Sequence, residues 1–378
     1  MNFQDLNVPN EIIEGLKKQN ITLPTKIQEE VIPKMLNGDD VAAVSQTGSG
    51  KTLAYLIPLF IKADVSLRST QAIVLTPTHE LAVQVYRQAE LLSKNSGSGI
   101  KSVLVIGGAN IARQIEKLRE KPQIVIGSSG RILELIKKRK IQAHTVKTIV
   151  IDEADRMLDK YNINGVREVI KTTLKDSRQV VVLSASLSKE AMKEAKTLMK
   201  APVKANGEKE MPSGIKHFYV VCEKREKLIM LRKIIAGIKP EKTIAFINDE
   251  QTIGEFVEKL RYHGLKVGGI YGEAKKFERK KVIEDFRRGN INLLISSDIS
   301  ARGLDFEGVD CVVNIDVPEE AVFYQHRAGR TGRNGKSGTV VSIITTVDKK
   351  WINRYERALN IKINHGKMSF GKLIEFAD

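Results

Sequence analysis

The chain is poor in cysteine, in aromatic residues and in long hydrophobic runs. Its 378 residues include 2 cysteines, too few for a disulfide framework or a zinc-binding pattern. No apolar run approaches the roughly 18 residues that a membrane-spanning helix needs. The N-terminal residues also lack the basic and apolar regions of a secretion signal. We therefore expect a cytoplasmic protein.

Positive charge is what the chain has in excess. It contains 62 Lys and Arg against 45 Asp and Glu, which gives a formal net charge of +17. Such an excess favours a polyanionic partner, nucleic acid above all, and a merely solubilising surface is the alternative. Aromatic residues make up only 5% of the chain, which favours contacts to a phosphate backbone over a base-stacking platform.

Short β-rich runs alternate with amphipathic helical stretches along most of the chain. Nearly continuous apolar strands between helices are typical of a parallel sheet covered on both faces. The alternation stops at the polar segment 205–214 and then starts again. We therefore predict an α/β fold with two similar domains, residues 1–204 and 215–378, joined by a linker, and a closing helix with a short tail after residue 345. The predicted strands are 40–45, 72–76, 102–106, 124–126, 148–151, 180–184, 218–222, 243–247, 267–271, 293–296, 311–315 and 339–344.

The most specific motif is a glycine-rich loop at residues 45–52, between a predicted strand and a predicted helix. Glycines allow backbone N–H groups to approach phosphate oxygens, and the helix N-terminus favours an anion. Lys51 would reach the β- and γ-phosphates, and Thr52 would bind Mg²⁺. A chance Gly-Ser turn is the alternative, because the general pattern has glycine at the position of Ser45. The predicted nucleotide contacts of this loop are Ser45, Gln46, Thr47, Gly48, Ser49, Gly50, Lys51 and Thr52.

A cluster of carboxylates follows the predicted strand 148–151. Residues 152–155 read Asp-Glu-Ala-Asp, and the carboxyl edge of a parallel sheet is where ligands bind. Asp152 suits a contact to Mg²⁺, directly or through water, and Glu153 suits positioning and deprotonating an attacking water. An acidic helix N-terminus is the alternative. The phosphate loop upstream favours the catalytic interpretation.

Three arginines, Arg327, Arg330 and Arg333, share a glycine-containing segment of the second domain. That domain shows no phosphate loop of its own. One domain would therefore hold the nucleotide while the other supplies arginine fingers, which contribute about 10³–10⁵ in rate. A basic loop that binds nucleic acid is the alternative.

Together these motifs resemble those of the DEAD-box RNA helicases. The phosphate loop, the Asp-Glu-Ala-Asp string and the His-Arg-x-Gly-Arg-x-x-Arg string of 326–333 stand in the family's order, and the resemblance covers roughly residues 3–344. The closest resemblance is to short bacterial members with little beyond the helicase core. It implies two tandem RecA-like domains that use ATP and Mg²⁺. It also implies an RNA-stimulated ATPase that separates short RNA duplexes locally or remodels RNA–protein complexes.

The resemblance assigns further roles by position. Gln28 would bind the adenine edge and Phe3 would stack on the adenine, while Gly303 and Asp305 would also contact the nucleotide. RNA would be held mainly through its backbone with weak sequence preference, and ribosome-assembly or RNA-decay factors are the partner classes that the family suggests. The residues that would couple hydrolysis to RNA are Asp155, Ser184, Ser186 and His326. The implied RNA contacts are Pro77, Thr78, Gly108, Gly130, Arg131, Arg279, Ser297 and Asp298.

Several positions depart from the family pattern at the implied RNA contacts. His79 replaces the usual Arg, and a neutral imidazole cannot make the bidentate, always-charged contact of a guanidinium. An ATP-gated RNA clamp or annealing protein with little unwinding is therefore an alternative function. A DNA helicase or another phosphate-loop ATPase is a third. The other departures are Ser128 and Ser129 in place of Thr-Pro, Lys276 in place of Gln, and Ala328 in place of a larger aliphatic residue.

Overall fold

The computed structural model describes residues 1–46, 48–207, 214–271, 276–301, 304, 306–332 and 336–376. The chain divides into two compact units, Met1–Lys209 and Glu210–Asp378. Each unit is built on its own mostly parallel sheet with helices around it, which confirms the predicted α/β fold class.

The first unit contains seven parallel strands within its described residues. Their order across the sheet is β3-β4-β2-β5-β6-β1-β7. The strands are β1 Val41–Val44, β2 Ala72–Leu75, β3 Ser102–Val105, β4 Ile124–Gly127, β5 Thr148–Ile151, β6 Gln179–Ser184 and β7 Val203–Asn206. The helices are α1 Asn10–Lys17, α2 Lys26–Asn37, α3 Lys51–Lys62, α4 His79–Ser96, α5 Ile111–Arg119, α6 Ser129–Lys137, α7 Ala154–Met157, α8 Ile163–Lys171 and α9 Lys189–Leu198.

Both faces of this sheet are buried. Successive residues of a strand point to opposite faces, and in β1 Val41 and Ala43 join one hydrophobic cluster while Ala42 joins the other. The first cluster contains side chains of α1 to α4, and the second contains side chains of α5 to α9. Burial on two faces explains why the strands are apolar at nearly every position.

The close approach of β3 and β4 requires a glycine. Gly127 ends β4, and a Cβ atom there would lie 1.8 Å from the carbonyl oxygen of Val105 on β3. Any side chain would force the two strands apart at the edge of the sheet where the loops after β3 and β4 begin.

The second unit contains eight strands within its described residues. Their order is β10-β11-β9-β12-β13-β8-β14-β15, and the pairs are parallel except for β14 with β15. The strands are β8 Ile215–Val221, β9 Thr243–Phe246, β10 Val267–Ile270, β11 Leu293–Ser296, β12 Cys311–Asn314, β13 Gly338–Ile344, β14 Asn364–Ser369 and β15 Lys372–Glu375. The helices are α10 Lys227–Ile238, α11 Ile253–Tyr262, α12 Lys276–Arg288, α13 Asp298–Ala301, α14 Ala321–Ala328 and α15 Lys349–Leu359.

The structure adds two elements that the sequence did not predict. Strand β7 extends to Asn206, two residues into the predicted linker, because it pairs with β1 along its whole length. The predicted tail contains the hairpin β14–β15, which extends the second sheet beside β8. In the part of the chain that the structure describes, no helix is both long and apolar enough to cross a membrane.

Candidate active site and nucleic-acid interface

The glycine-rich loop connects β1 to α3. Gly48 and Gly50 have φ angles of 81° and 90°, in the left-handed region that favours glycine. Gly50 also precedes the first residue of α3, and a Cβ atom there would lie 2.6 Å from Nε2 of Gln28. The loop can therefore take this path only with glycine at these positions, as a phosphate-binding loop requires. Thr47 lies outside the described residues.

The side chains of the loop fold back onto its own backbone. Lys51 donates from Nζ to the carbonyl oxygens of Ser45 and Gln46, and the hydroxyl of Ser49 donates to the oxygen of Gln46 at 2.7 Å. The ammonium group thus lies against the backbone of the loop to which phosphate oxygens are predicted to bind.

The first residue of the loop, Ser45, packs against Gly207, which follows β7. Ser45 is buried, and its hydroxyl has no hydrogen-bond partner within the described part of the chain. The N–H of Gly207 donates to the oxygen of Val44 at 2.9 Å. A Cβ atom on Gly207 would lie 2.1 Å from Oγ of Ser45, so the two residues are in close contact.

Asp152 is buried where β5 ends, with 4% of its surface exposed. Its Oδ1 accepts the N–H of Glu153 at 2.9 Å, and its Oδ2 accepts the hydroxyl of Tyr55 at 2.9 Å. Burial raises the pKa of Asp152, and the nearby Lys51 ammonium acts in the opposite direction. No sequence pattern marks Tyr55, because it lies in an apolar stretch of α3 and only the tertiary contact reveals its partner.

Glu153 has a backbone conformation that is rare for a residue with a side chain. Its φ and ψ angles are 48° and 54°, and it directly precedes α7. A non-glycine residue in this region costs roughly 1–2 kcal/mol, and such strain is concentrated at functional sites. The turn directs the chain from β5 into α7 immediately after Asp152.

The predicted coupling residues of the first unit are in contact. The hydroxyl of Ser184 donates to Oδ1 of Asp155 and accepts the N–H of Asp155 at 3.3 Å. The N–H of Ser186 also points to this hydroxyl, at 3.4 Å. Strands β5 and β6 are neighbours, so the segments that follow them meet at one edge of the sheet.

Gln28 contacts the phosphate loop directly. Its side chain is 2% exposed, with Nε2 donating to the oxygen of Gly50 at 3.1 Å and Oε1 accepting the N–H of Thr25 at 3.0 Å. Phe3 is 1% exposed and belongs to the hydrophobic cluster that contains α1 to α4. The structure therefore connects α2 with the loop, while adenine binding by Gln28 and Phe3 stays a prediction.

The implied RNA contacts of the first unit follow β2, β3 and β4. Thr78 precedes α4 and accepts the N–H of Leu81 at 3.2 Å. Arg131 in α6 donates to the oxygen of Ala109 at 3.3 Å, which links the loops after β3 and β4. Pro77 precedes Thr78, Gly108 has a φ of 65°, and Gly130 lies in the first turn of α6.

His79, the first residue of α4, lies in the same region. A Cβ atom on Gly107 would be 3.5 Å from Nε2 of His79, so the imidazole contacts the glycine pair that follows β3. The departure from arginine thus occurs among the implied RNA contacts and not at a remote position.

The sheet order separates the two groups of candidate residues. The loops after β1 and β5 carry phosphate and cation candidates, the end of β6 carries coupling candidates, and the loops after β2, β3 and β4 carry RNA candidates. In the order β3-β4-β2-β5-β6-β1-β7 the nucleotide and coupling candidates share three adjacent strands, and the RNA candidates share the three adjacent strands beside them. Because the carboxyl ends of parallel strands share one edge, the first unit presents two adjoining groups of candidate residues along that edge.

Arg327 is the centre of a buried polar network in the second unit. It is 1% exposed and binds both carboxylate oxygens of Asp298 at 2.7 Å. It also donates to Oδ1 of Asn314 at 3.2 Å and to Oδ1 of Asn248 at 2.9 Å. The network fixes α14 against the ends of β9, β11 and β12, and it occupies the carboxylate of Asp298.

The other predicted residues of the second unit lie near this network. The hydroxyl of Ser297 donates to Glu250, and Arg279 donates to the oxygen of Ser300 at 3.1 Å. Arg330 follows α14 and donates to the oxygen of Leu304 at 2.8 Å, while His326 lies in α14 itself. Gly303, Asp305 and Arg333 lie outside the described residues.

Known proteins are similar to this chain in sequence over most of its length. Residues 25–195 match the family model described as DEAD/DEAH box helicase, and residues 226–335 match the helicase conserved C-terminal domain. The chain is 39% identical to the DEAD-box ATP-dependent RNA helicase CshC of Bacillus cereus, over 93% of this chain and 90% of that protein. It is 36% identical to the probable ATP-dependent RNA helicase YfmL of Bacillus subtilis, over 97% of both.

The chain belongs to the DEAD-box helicase family. The enzyme class that the motifs imply, an ATP-hydrolysing RNA helicase, is thereby confirmed.

Solved structures confirm the RecA-like design of this helicase. The S. cerevisiae Dbp5 structure bound to RNA and ADP BeF3 is similar with a TM-score of 0.84 and 27% identity, over 96% of this chain and 95% of that one. The structure of Mss116p bound to ssRNA and AMP-PNP gives a TM-score of 0.85 and 26% identity, over 96% and 77%.

Proposed function

We propose that this helicase hydrolyses ATP in response to RNA and uses the reaction to separate short RNA duplexes locally or to remodel RNA–protein complexes. The observation that carries the proposal is the arrangement of the first sheet. Its carboxyl edge holds a phosphate loop and a carboxylate group on one side and the RNA-contact candidates on the other. ATP at the phosphate loop and RNA at the neighbouring loops would therefore both contact loops that one rigid sheet holds in place.

The nucleotide site suits ATP with Mg²⁺. Asp152 and Thr52 offer a carboxylate and a hydroxyl, the hard oxygen donors that Mg²⁺ prefers. Among the described residues no group of three His, Cys, Asp or Glu side chains could hold a metal ion. A site of this kind suits a cation that is held jointly by a carboxylate and by substrate phosphates. When bound, Mg²⁺ would neutralise charge on the phosphates during transfer.

The residues of the site divide the chemical work. Lys51 binds the β- and γ-phosphates in place of the loop carbonyls that it now contacts. Glu153 orients the attacking water and accepts its proton, and Asp152 offers its carboxylate to the cation. Arg330 and Arg333 reach the γ-phosphate when the two units close on ATP and stabilise the charge that develops there.

RNA binding is proposed to favour the same closed state as ATP. The contacts go mainly to phosphates and 2′-hydroxyls, so sequence preference is weak. The closed state bends one strand, which a duplex cannot follow, and the duplex opens locally. Hydrolysis then reopens the cleft and releases the strand. The cytoplasmic location and the ribosome-assembly or RNA-decay partners stay predictions.

Two assays on the full-length protein test this function. Phosphate release from ATP is measured with and without single-stranded RNA, with DNA of equal length as the control. Displacement of one strand from a short RNA duplex is then followed at saturating ATP. Stimulation by RNA together with displacement is the expected result. Stimulation without displacement would favour the RNA clamp, and equal stimulation by DNA would contradict the RNA preference.

A further inference from the structure

The hydroxyl of Tyr55 contacts a carboxylate of the proposed cation site. It donates to Oδ2 of Asp152 at 2.9 Å. Thr52 and Tyr55 are three residues apart, so they lie on the same face of α3. The phenol thus contacts a carboxylate 97 positions further along the chain, from the helix face that also carries Thr52.

The Tyr55 hydroxyl is buried in apolar surroundings, where a polar atom needs a hydrogen-bond partner. Tyr55 is 0% exposed, and its ring packs in the cluster that contains Val150 of β5 and Val181 of β6. A buried phenol without a partner would be costly, and a phenylalanine would fill the same apolar space without that cost. The polar atom is therefore explained by its bond to Asp152 and not by the packing.

The carboxylate depends on this bond as well. Asp152 is 4% exposed, and Tyr55 and the N–H of Glu153 each hold one of its oxygens. These two bonds use two of the roughly four lone-pair positions of a carboxylate, and they fix the plane of the group. The orientation of the lone pairs toward a cation is consequently set by these two donors.

We propose that Tyr55 is a positioning residue for the catalytic cation: its hydroxyl fixes Asp152 in the orientation that binds Mg²⁺ together with ATP. The proposal rests on the metal site of the proposed function. Partners that orient metal ligands commonly change metal affinity by about 10- to 100-fold when they are removed. Tyr55 would act in this way through the ligands and without contact to the nucleotide.

The test compares the full-length protein with Tyr55→Phe in the binding of a fluorescent, non-hydrolysable ATP analogue. Mg²⁺ is titrated at fixed analogue concentration, and the analogue affinity is measured separately in EDTA. We expect the Mg²⁺ concentration at half-maximal binding to rise about 10-fold or more in Tyr55→Phe, with the affinity in EDTA unchanged. Tyr86→Phe, which removes a phenolic hydroxyl from α4 of the same unit, should keep the parent's Mg²⁺ midpoint.

The variant Asp152→Asn distinguishes a failure of the proposed metal site from a failure of the positioning role of Tyr55. If Asp152→Asn still binds the analogue in a Mg²⁺-dependent manner, the metal site itself is wrong. If Asp152→Asn loses that dependence while Tyr55→Phe keeps the parent's midpoint, the metal site stands and the positioning role is overturned. A merely structural role would weaken analogue binding in EDTA to the same extent as in Mg²⁺.

A second substitution keeps the test decisive if Tyr55→Phe does not fold. Incorporation of 3-fluorotyrosine at position 55 retains the hydroxyl and changes its strength as a donor. A shifted Mg²⁺ midpoint in this protein supports the role of Tyr55, and an unchanged midpoint contradicts it.

Discussion

Glu153 combines a left-handed backbone conformation with the position where the proposed mechanism places a general base. This conformation turns the chain directly after Asp152. The carboxylate of Asp152 is held by Tyr55 and by the N–H of Glu153. In the proposed mechanism the two adjacent carboxylates have different tasks, because Glu153 acts on water and Asp152 on the cation.

Replacing Glu153 with glutamine should stop turnover while nucleotide binding remains. Glutamine keeps the size of the side chain and cannot accept the proton of the attacking water. A positioned general base contributes about 10²–10⁴ in rate, so phosphate release should fall by that factor. Binding of the fluorescent ATP analogue should match that of the parent.

Glu168→Gln is the matched control, because Glu168 is an exposed glutamate of α8. It should leave both phosphate release and analogue binding unchanged. A Glu153→Gln protein with parental turnover would remove Glu153 from the proposed mechanism.

The sequence predicted residues whose role depends on local spacing, and it missed those defined by tertiary contacts. The phosphate loop and the 152–155 string were visible because their function requires fixed residue types in consecutive positions. Tyr55 contacts a partner on another element, so no local pattern marks it. Arg327 was noted only as one of three arginines, and its burial distinguishes it from Arg330.

At the scale of elements, β8 and α14 are joined by a buried histidine. His217 on β8 is 6% exposed, and its Nδ1 lies 2.8 Å from the hydroxyl of Tyr324 on α14. Burial lowers the pKa of His217 to about 4. The folded unit therefore holds this imidazole neutral at pH values where an unfolded chain protonates it.

Acidification should consequently destabilise the second unit through His217. Between pH 7 and pH 5 the unfolded imidazole, with a pKa of about 6.5, takes up a proton that the folded one does not, so the free energy of unfolding falls by roughly 2 kcal/mol. Hydrogen exchange of the β8 amides in the full-length protein measures this as a loss of about 30-fold in protection.

In His217→Asn most of the loss of protection between pH 7 and pH 5 should disappear. This comparison holds even if the variant is less stable than the parent at both pH values. His263→Asn is the control, because His263 is exposed at the end of α11, and it should show the full loss. An equal pH dependence in His217→Asn and the parent would assign the effect to other groups.

Element prediction succeeded where burial imposes a pattern and failed where pairing alone creates the element. The strands of both sheets are short apolar runs, because helices cover both faces of each sheet. Strand β14 has the sequence Asn-His-Gly-Lys-Met-Ser, which shows no such run. It forms because β8 and β15 offer it backbone partners. The same reason explains β7, whose register is set by β1.

At the scale of the whole molecule, the proposed function requires that ATP and RNA favour one common state. Each ligand must then raise the affinity for the other by the same factor. We expect this factor to lie in the range of about 5- to 150-fold that is usual for coupled sites. Titration of RNA with and without the ATP analogue, and of the analogue with and without RNA, measures it from both directions.

Arg330→Ala should lower this coupling factor toward 1 and leave RNA affinity in the absence of nucleotide unchanged. Arg357→Ala, which removes an exposed arginine from α15, should preserve the factor. Independent binding of the two ligands by the parent protein would contradict the common state.

The close packing of Gly207 against Ser45 limits how this enzyme can diverge. A methyl group at 207 would lie 2.1 Å from the hydroxyl oxygen and 2.6 Å from the Cβ of Ser45. Even alanine at 45 would retain the second clash, so only a glycine there would make room for it. The two positions are far apart in the chain, yet a side chain at 207 requires glycine at 45 or a shift of the backbone between them. Ile27, whose Cβ would lie 3.3 Å from a methyl group at 207, would also have to move slightly.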